Sequence, residues 1–174
     1  MDLDKIQYVP SPNKSRRLSK ITHIVLHCMA GTYTGSISHF SRASSKVSAH
    51  YLVSKKGEIL CMVKPEARAW HVKNFNDRSI GIEMEDYDRT TKKNCLTDPN
   101  WCTEVELKTV VSLVVSLMKK YSIPLANVIG HNDPMLRKVY HNTHSDPGLW
   151  SWEKFRALVN KELENDGDHP SRED

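Results

Sequence analysis

Long hydrophobic runs are missing from this chain of 174 residues, so no segment has membrane-spanning length and no membrane insertion is expected. The opening MDLDKIQYVPSPNKS is acidic at once and has no apolar stretch of the kind a cleavable secretory signal needs, so synthesis in the cytoplasm without a signal is expected. Cysteine is scarce as well. The four residues, Cys28, Cys61, Cys95 and Cys102, show no CxxC spacing, which excludes a cysteine zinc ribbon and a disulfide-built scaffold. Cys95 and Cys102 flank one loop and would pair if oxidised, whereas Cys28 and Cys61 sit in apolar runs and read as small buried hydrophobes. Charge is balanced: the net value of +4 singles out no partner. The basic run Lys14, Arg16, Arg17 has no interleaved aromatics, so it reads as a solvated face and no nucleic-acid partner is expected. Internal repeats are absent too. What remains is one soluble domain with an ordinary apolar content of 39% and a length sufficient for a sizeable core.

The densest concentration of chemistry is GHNDPMLRKVYHNTHSDPG at 130–148, which holds three histidines and two aspartates between Gly and Pro punctuation. It reads as a loop that holds polar groups. Imidazole and carboxylate suit zinc, and a catalytic zinc usually takes three protein ligands and keeps one position open. The loop can supply two of them.

Along the chain, residues 1–20 read as an extended lead-in on the surface. ITHIVLHC (21–28) reads as a buried strand, with His27 on the same face as His23 and Val25. On spacing alone His27 is either a ligand at a strand end or a satisfied core histidine. Residues 35–43 suit a short helix, and SAHYLVS and EILCMV around Lys55-Lys56-Gly57 suit a hairpin. The segment 65–76 gathers Arg68, Trp70, His71, Asn74 and Asn76, a set that either holds a polar ligand or covers the core edge. SIGIEME (79–85) alternates as a strand with Glu83 on its polar face, and residues 86–102 read as a surface insertion. Thr103-Glu104-Val105-Glu106 is a capping box that starts the main core helix, NVIG is a short strand, and Ser151 caps a last helix to about Leu163. This order predicts an α/β fold: a single domain over 21–164 with a central mixed β-sheet covered by helices, then a disordered tail at 165–174 that contains His169.

IVLHCMAG, SAHYLVSKKGEI, ARAWH, NDRSIGIE, VIGHND and HSDPG, in that order, together resemble the zinc-dependent type 2 N-acetylmuramoyl-L-alanine amidases, which share a fold with peptidoglycan recognition proteins. The resemblance implies one Zn2+ per chain held by His27, His131 and Asp146. It implies Glu83 as the catalytic base or orienting acid. His144 stands where some members carry an oxyanion-stabilising lysine, which predicts a steeper acid-side pH dependence. His50 would line the rim, and Trp70, His71 and Asn76 would hold substrate. The implied substrate is peptidoglycan or a muropeptide, cut between N-acetylmuramic acid and L-alanine by a monomer. Its setting would be the cell wall after lysis or non-classical export, as for an endolysin, or cytoplasmic muropeptides. A peptidoglycan-binding recognition protein without activity is the alternative, which the presence of Asp146 disfavours. His141 is assigned to the loop surface, and His23 and His39 to structural or exposed positions.

Overall fold

The computed structural model describes residues 1–87 and 93–167. Among the described residues eight strands are formed: β1 (Gln7–Tyr8), β2 (Lys14–Arg16), β3 (His23–Cys28), β4 (Tyr51–Val53), β5 (Ile59–Cys61), β6 (Ala67–Ala69), β7 (Ser79–Met84) and β8 (Val128–Gly130). Four α-helices accompany them: α1 (Tyr33–Phe40), α2 (Glu104–Tyr121), α3 (Pro134–Tyr140) and α4 (Trp152–Gly167). The main sheet has the order β1-β5-β4-β7-β3-β8, and β2 pairs with β6 in a small second sheet. Pairing is parallel in β4-β7, β7-β3 and β3-β8 and antiparallel in the β4-β5 hairpin, so the sheet is mixed, as expected.

The central strand β3 is buried on both faces, which explains its unbroken apolar run. Ile24 and Leu26 join Ile80, Ile82 and Met84 of β7 under α2 and α4, while Val25 packs on the other side with Val72, Phe75, Ile129 and Leu136. Each fully buried aliphatic side chain contributes roughly 1.5–3 kcal/mol, so this double-sided packing holds β3 in register with its parallel neighbours β7 and β8. Helix α2 begins where expected, with the Thr103 side chain accepting from the Glu106 N–H, and ends at Ser122 in the left-handed region. Among the described residues no helix is long and apolar enough to cross a membrane.

Several expectations need correction. The segment 130–148 is not all loop: Asp133 caps α3 and Pro134 occupies its first turn, an N-terminal signature that the histidine content obscured. Helix α4 continues to Gly167, through the first residues assigned to a disordered tail; His169 and the remainder of that tail lie outside the described residues. The insertion at 86–102 is partly core. Cys95 and Trp101 are buried, Trp101 lies 5.6 Å from the Trp150 ring, and the Leu149 N–H donates to the Cys95 carbonyl at 2.7 Å. Residues 88–92 of that insertion lie outside the described residues. All four cysteines are free thiols, and the thiol hydrogen-bonded to Cys95 is that of Cys28, not Cys102.

The lead-in is stitched into the fold. Ser11 donates to the Phe40 carbonyl at 2.6 Å, and the buried Asn13 amide donates to the Arg42 and Val47 carbonyls. Lys14 and Arg16 are exposed, as the solvated-face reading of the basic run expects, but Arg17 departs from it. Its Nε donates to the Pro65 carbonyl at 2.8 Å, Nη1 to those of Asn76 and Asp77, and Nη2 to those of Ala67 and Ser79. One planar fork therefore satisfies five carbonyls from three separate segments, a task a lysine ammonium cannot copy. Arg17→Leu is expected to lower unfolding free energy by roughly 2–5 kcal/mol, because it strands buried acceptors, and Arg17→Lys to recover little of that loss. Urea denaturation of the three proteins checks this; a stable Arg17→Leu would show the fork to be dispensable.

Candidate active site

The site lies at the carboxyl ends of β3, β7 and β8, where parallel sheets present side chains to ligands. Register determines its composition. His27 sits opposite Glu83 across β3-β7, and Leu26 opposite Gly130 across β3-β8, so the next residue, His131, arrives beside His27 with its N–H on the Leu26 carbonyl at 3.1 Å. Asp146 is brought in by the turn after α3, where the Asn132 N–H donates to the Asp146 carbonyl at 2.8 Å. The turn is seated tightly: a Cβ on Gly148, whose φ is +44°, would lie 2.4 Å from the Cys95 carbonyl oxygen.

Three donor atoms converge there. His27 Nδ1 and His131 Nδ1 are 3.0 Å apart, and the Asp146 carboxylate lies 3.4 Å from the first and 3.2 Å from the second. Both imidazoles are buried, at 3% and 5% exposure, so neither is explained as a solvated surface group. Burial would raise the Asp146 carboxyl, but its close imidazole neighbours, His131 first, hold it well below the usual carboxylate range.

The tautomer of His27 follows from a chain of hydrogen bonds behind it. The Ser79 hydroxyl donates to the Phe75 carbonyl at 2.9 Å, so its oxygen accepts from His71 Nε2–H at 3.2 Å. His71 Nδ1 is then an acceptor, which obliges His27 Nε2–H to donate to it at 2.9 Å. The His27 Nδ1 lone pair is thereby left facing His131 and Asp146. Burial, then the neighbouring histidines, hold His71 well below the ordinary imidazole range, which keeps it neutral as this chain requires. Gly81 makes room for it, since a Cβ there would come within 2.6 Å of the His71 ring. Two neutral imidazole nitrogens and a carboxylate oxygen converging within 4.8 Å are a donor set that fits a divalent ion such as zinc.

Glu83 and His144 complete the cleft. Glu83 is half-buried, and burial, followed by repulsion from Asp146 and Asp86, pushes its carboxyl up to about 8, a value at which it both takes and gives protons near neutrality. His144 stacks on His131 with ring centroids 4.0 Å apart and Nδ1 3.8 Å from Asp146 Oδ1, and it is held below the ordinary imidazole value by burial and by His131. The cleft measures about 970 Å³ and is lined by both residues, by all three converging side chains and by Trp70.

The remaining expected residues are placed differently. Trp70 does line the cleft, with its indole N–H on Ser15 at 3.0 Å. His71 borders it but is committed to His27 and Ser79. His50 is not at a rim: it is 0% exposed, its Nδ1 accepts the Gly81 N–H, and its Nε2 lies at 2.9 Å from Arg17. Asn76 is buried too, its side-chain oxygen accepting the His71 and Val72 N–H groups, so it shapes the turn that carries His71. Both act through the fold, and neither lines the cleft. His141 is exposed at the end of α3, and His23 packs on Phe75. His39, exposed on α1, borders the cleft beside Arg42. The sequence reading missed Asn142, whose amide donates to the His131 carbonyl, and Arg17; the carbonyl partners of both are set by tertiary folding.

Residues 17–149 match the family model described as N-acetylmuramoyl-L-alanine amidase. The chain is 46% identical over 76 residues to N-acetylmuramoyl-L-alanine amidase A of Achromobacter lyticus, covering 43% of each chain. It is 32% identical over 129 residues to the 1,6-anhydro-N-acetylmuramyl-L-alanine amidase AmpD of Escherichia coli K12, covering 69% of this chain and 62% of that one. It therefore spans less than two thirds of the length of either relative. Among solved structures, an AmpD selenomethionine derivative superposes with a TM-score of 0.70 at 24% identity, over 91% of this chain and 96% of that one, which shows a shared fold.

Burial and the nearby Arg17 charge push the His50 imidazole down to about 3, below the roughly 6.5 of an unfolded chain. The unfolded state therefore binds the proton first, and the stability this residue contributes is complete above pH 6.5 and is lost as pH falls toward 3. Urea midpoints measured from pH 7 to pH 4 should fall more steeply for the wild type than for His50→Asn; equal slopes would remove His50 from the acid response.

Proposed function

Because the chain belongs to the N-acetylmuramoyl-L-alanine amidase family, we propose that it hydrolyses the amide between N-acetylmuramic acid and L-alanine in peptidoglycan or muropeptides, with one zinc ion held by His27, His131 and Asp146. The observation that carries this reading is the convergence of three oriented donors beside Glu83 in an open cleft. A zinc ion bound there supplies Lewis acidity, lowering the pKa of a water and polarising an amide carbonyl.

The chain's own residues account for the proton traffic. Glu83 accepts a proton from the attacking water as the water oxygen bonds to the lactyl carbonyl carbon. His144 offers an N–H to the carbonyl oxygen as charge grows on it. When the C–N bond breaks, Glu83 returns the proton to the departing amine of L-alanine, which leaves a free carboxyl on the muramic acid. His71 and Ser79 hold His27 in the tautomer that presents Nδ1, and Trp70 offers an apolar wall to sugar or peptide. The name of the AmpD relative, a 1,6-anhydro-N-acetylmuramyl-L-alanine amidase, supports a muropeptide substrate. A cytoplasmic monomer acting on soluble muropeptides is the setting we favour over an endolysin released by lysis.

Mass spectrometry of digests separates the possibilities. Wild-type protein with zinc should yield peptides with a free N-terminal L-alanine from soluble anhydro-muropeptides, and more slowly from sacculi. Cleavage at a glycosidic bond, or tight binding without cleavage, would overturn the assignment. Asp146→Ala should abolish activity and Glu83→Gln should lower kcat by about 10²–10⁴-fold. His71→Phe keeps all three ligands, yet chelator competition should show zinc affinity reduced by roughly 10–100-fold. Unchanged affinity would show that the Ser79–His71–His27 chain does not orient the ligand.

A further inference from the structure

A second group of metal-ligating side chains stands a short distance from the first, made of residues that the proposed amidase chemistry does not use. Cys28 ends β3, Asp86 follows β7, and Cys95 lies in the segment packed over the turn of Asp146. Their ligand atoms all fall within 4.8 Å of one another. The Cys28 and Cys95 thiols share a hydrogen bond. Asp86 Oδ2 accepts the Cys95 N–H at 3.3 Å and the carboxylate meets the Cys95 thiol, while the buried Asp86 Oδ1 has no N–H or O–H donor among the described residues. Asp86 is only 5% exposed, so little solvent reaches it. A buried carboxylate oxygen is unfavourable unless a cation or donor meets it, and here it belongs to a group that also contains two sulfurs.

We propose that Cys28, Asp86 and Cys95 form a second metal site, for a thiophilic divalent ion such as zinc, separate from the His27, His131 and Asp146 site. Zinc–thiolate bonds of about 2.3 Å at tetrahedral angles set two sulfurs about 3.8 Å apart, so the cluster reaches this geometry by small side-chain adjustments. On binding, the two thiol protons pass to solvent and the ion bonds to both sulfurs and to Asp86 Oδ1. All three residues border the cleft, so a water can fill the fourth position.

The site would brace the catalytic turn. The Cys95 carbonyl holds the Leu149 N–H at 2.7 Å and sits against Gly148, two residues from Asp146. The Cys28 N–H also points at Asp146 Oδ2, at 3.4 Å. An ion joining Cys28 to Cys95 would tie the end of β3 to the segment against which the Asp146 turn is packed. Its role is structural, so it is testable without reference to catalysis and stands whether or not the chain cuts an amide.

The test is anaerobic titration of the reduced full-length protein with Co(II), which reports thiolate ligation through a near-ultraviolet charge-transfer band that imidazole and carboxylate ligands do not produce. The wild type should bind two equivalents, one of them with that band. Asp146→Ala should keep the band and lose the other equivalent. Cys95→Ser should lose the band and bind one equivalent; Asp86→Asn, which preserves side-chain volume, should weaken the band's saturation at least tenfold and serves if Cys95→Ser does not fold. A wild type that binds a single equivalent without a thiolate band overturns the proposal. So does a peptide map, made without reductant on protein purified with zinc present, that shows Cys28 and Cys95 joined as a disulfide.

Discussion

The parallel register of β7, β3 and β8 is the constraint from which the rest of the site follows. Pairing His27 with Glu83 and Leu26 with Gly130 puts one histidine, a carboxylic acid and the entry to the second histidine at one height on the sheet edge. A one-residue slip would turn His27 into the apolar layer under α2 and bring Leu26 into the cleft. The slip is opposed by burial on both faces, because Ile24 and Leu26 on one side and Val25 on the other cannot exchange places without exposing apolar area and enclosing imidazole. Core packing and site geometry are in this sense one interaction.

Behind the sheet edge, polar groups carry that precision further. Arg17 gathers carbonyls from the stretch before β6, from β6 itself and from the entry to β7, and so holds the segments that carry His50 and His71. Asn76 folds the turn that positions His71, His71 orients His27, and Ser79 orients His71. Each member has its donors and acceptors assigned, and a network satisfied in this way rigidifies a site where a partly satisfied one would loosen it. Histidine-rich surroundings thus contain two kinds of imidazole: His27 and His131, which turn a nitrogen toward the cleft, and His50 and His71, which use both nitrogens inside the protein.

That division marks how far the sequence could be read. Strand patterns in ITHIVLHC, SIGIEME and NVIG, and the capping box before α2, are local signals, and the elements formed where they predicted. Alternation also put Glu83 on the polar face of its strand, and motif resemblance selected His27, His131 and Asp146 for one centre, where the structure brings them together. His50 and Asn76 were misread because residue type shows that a side chain is polar and says nothing about whether backbone groups will surround it. Arg17 was misread for the complementary reason: its partners are main-chain carbonyls, which every residue has, so no motif announces them. The pairing of Cys95 with Cys28, 67 positions away in the chain, depends on the same tertiary information, whereas Cys102 was merely close in sequence. Helix α3 had a local signal in Asp133-Pro134, overshadowed by the histidines around it.

The two carboxylates of the cleft show why position matters more than residue type. Asp146 lies against two imidazoles, which hold its carboxyl well below the usual carboxylate range. Glu83, across the cleft, is pushed up to about 8 by burial and by the charge on Asp146 itself. The carboxylate that keeps its charge therefore raises its neighbour, which is the separation that the ligand and proton-carrier roles proposed for the two require. Exchanging the two residue types would leave these environments as they are. These environments belong to β3, β7 and the turn at Gly148, which place one carboxyl against two imidazoles and the other against an anion.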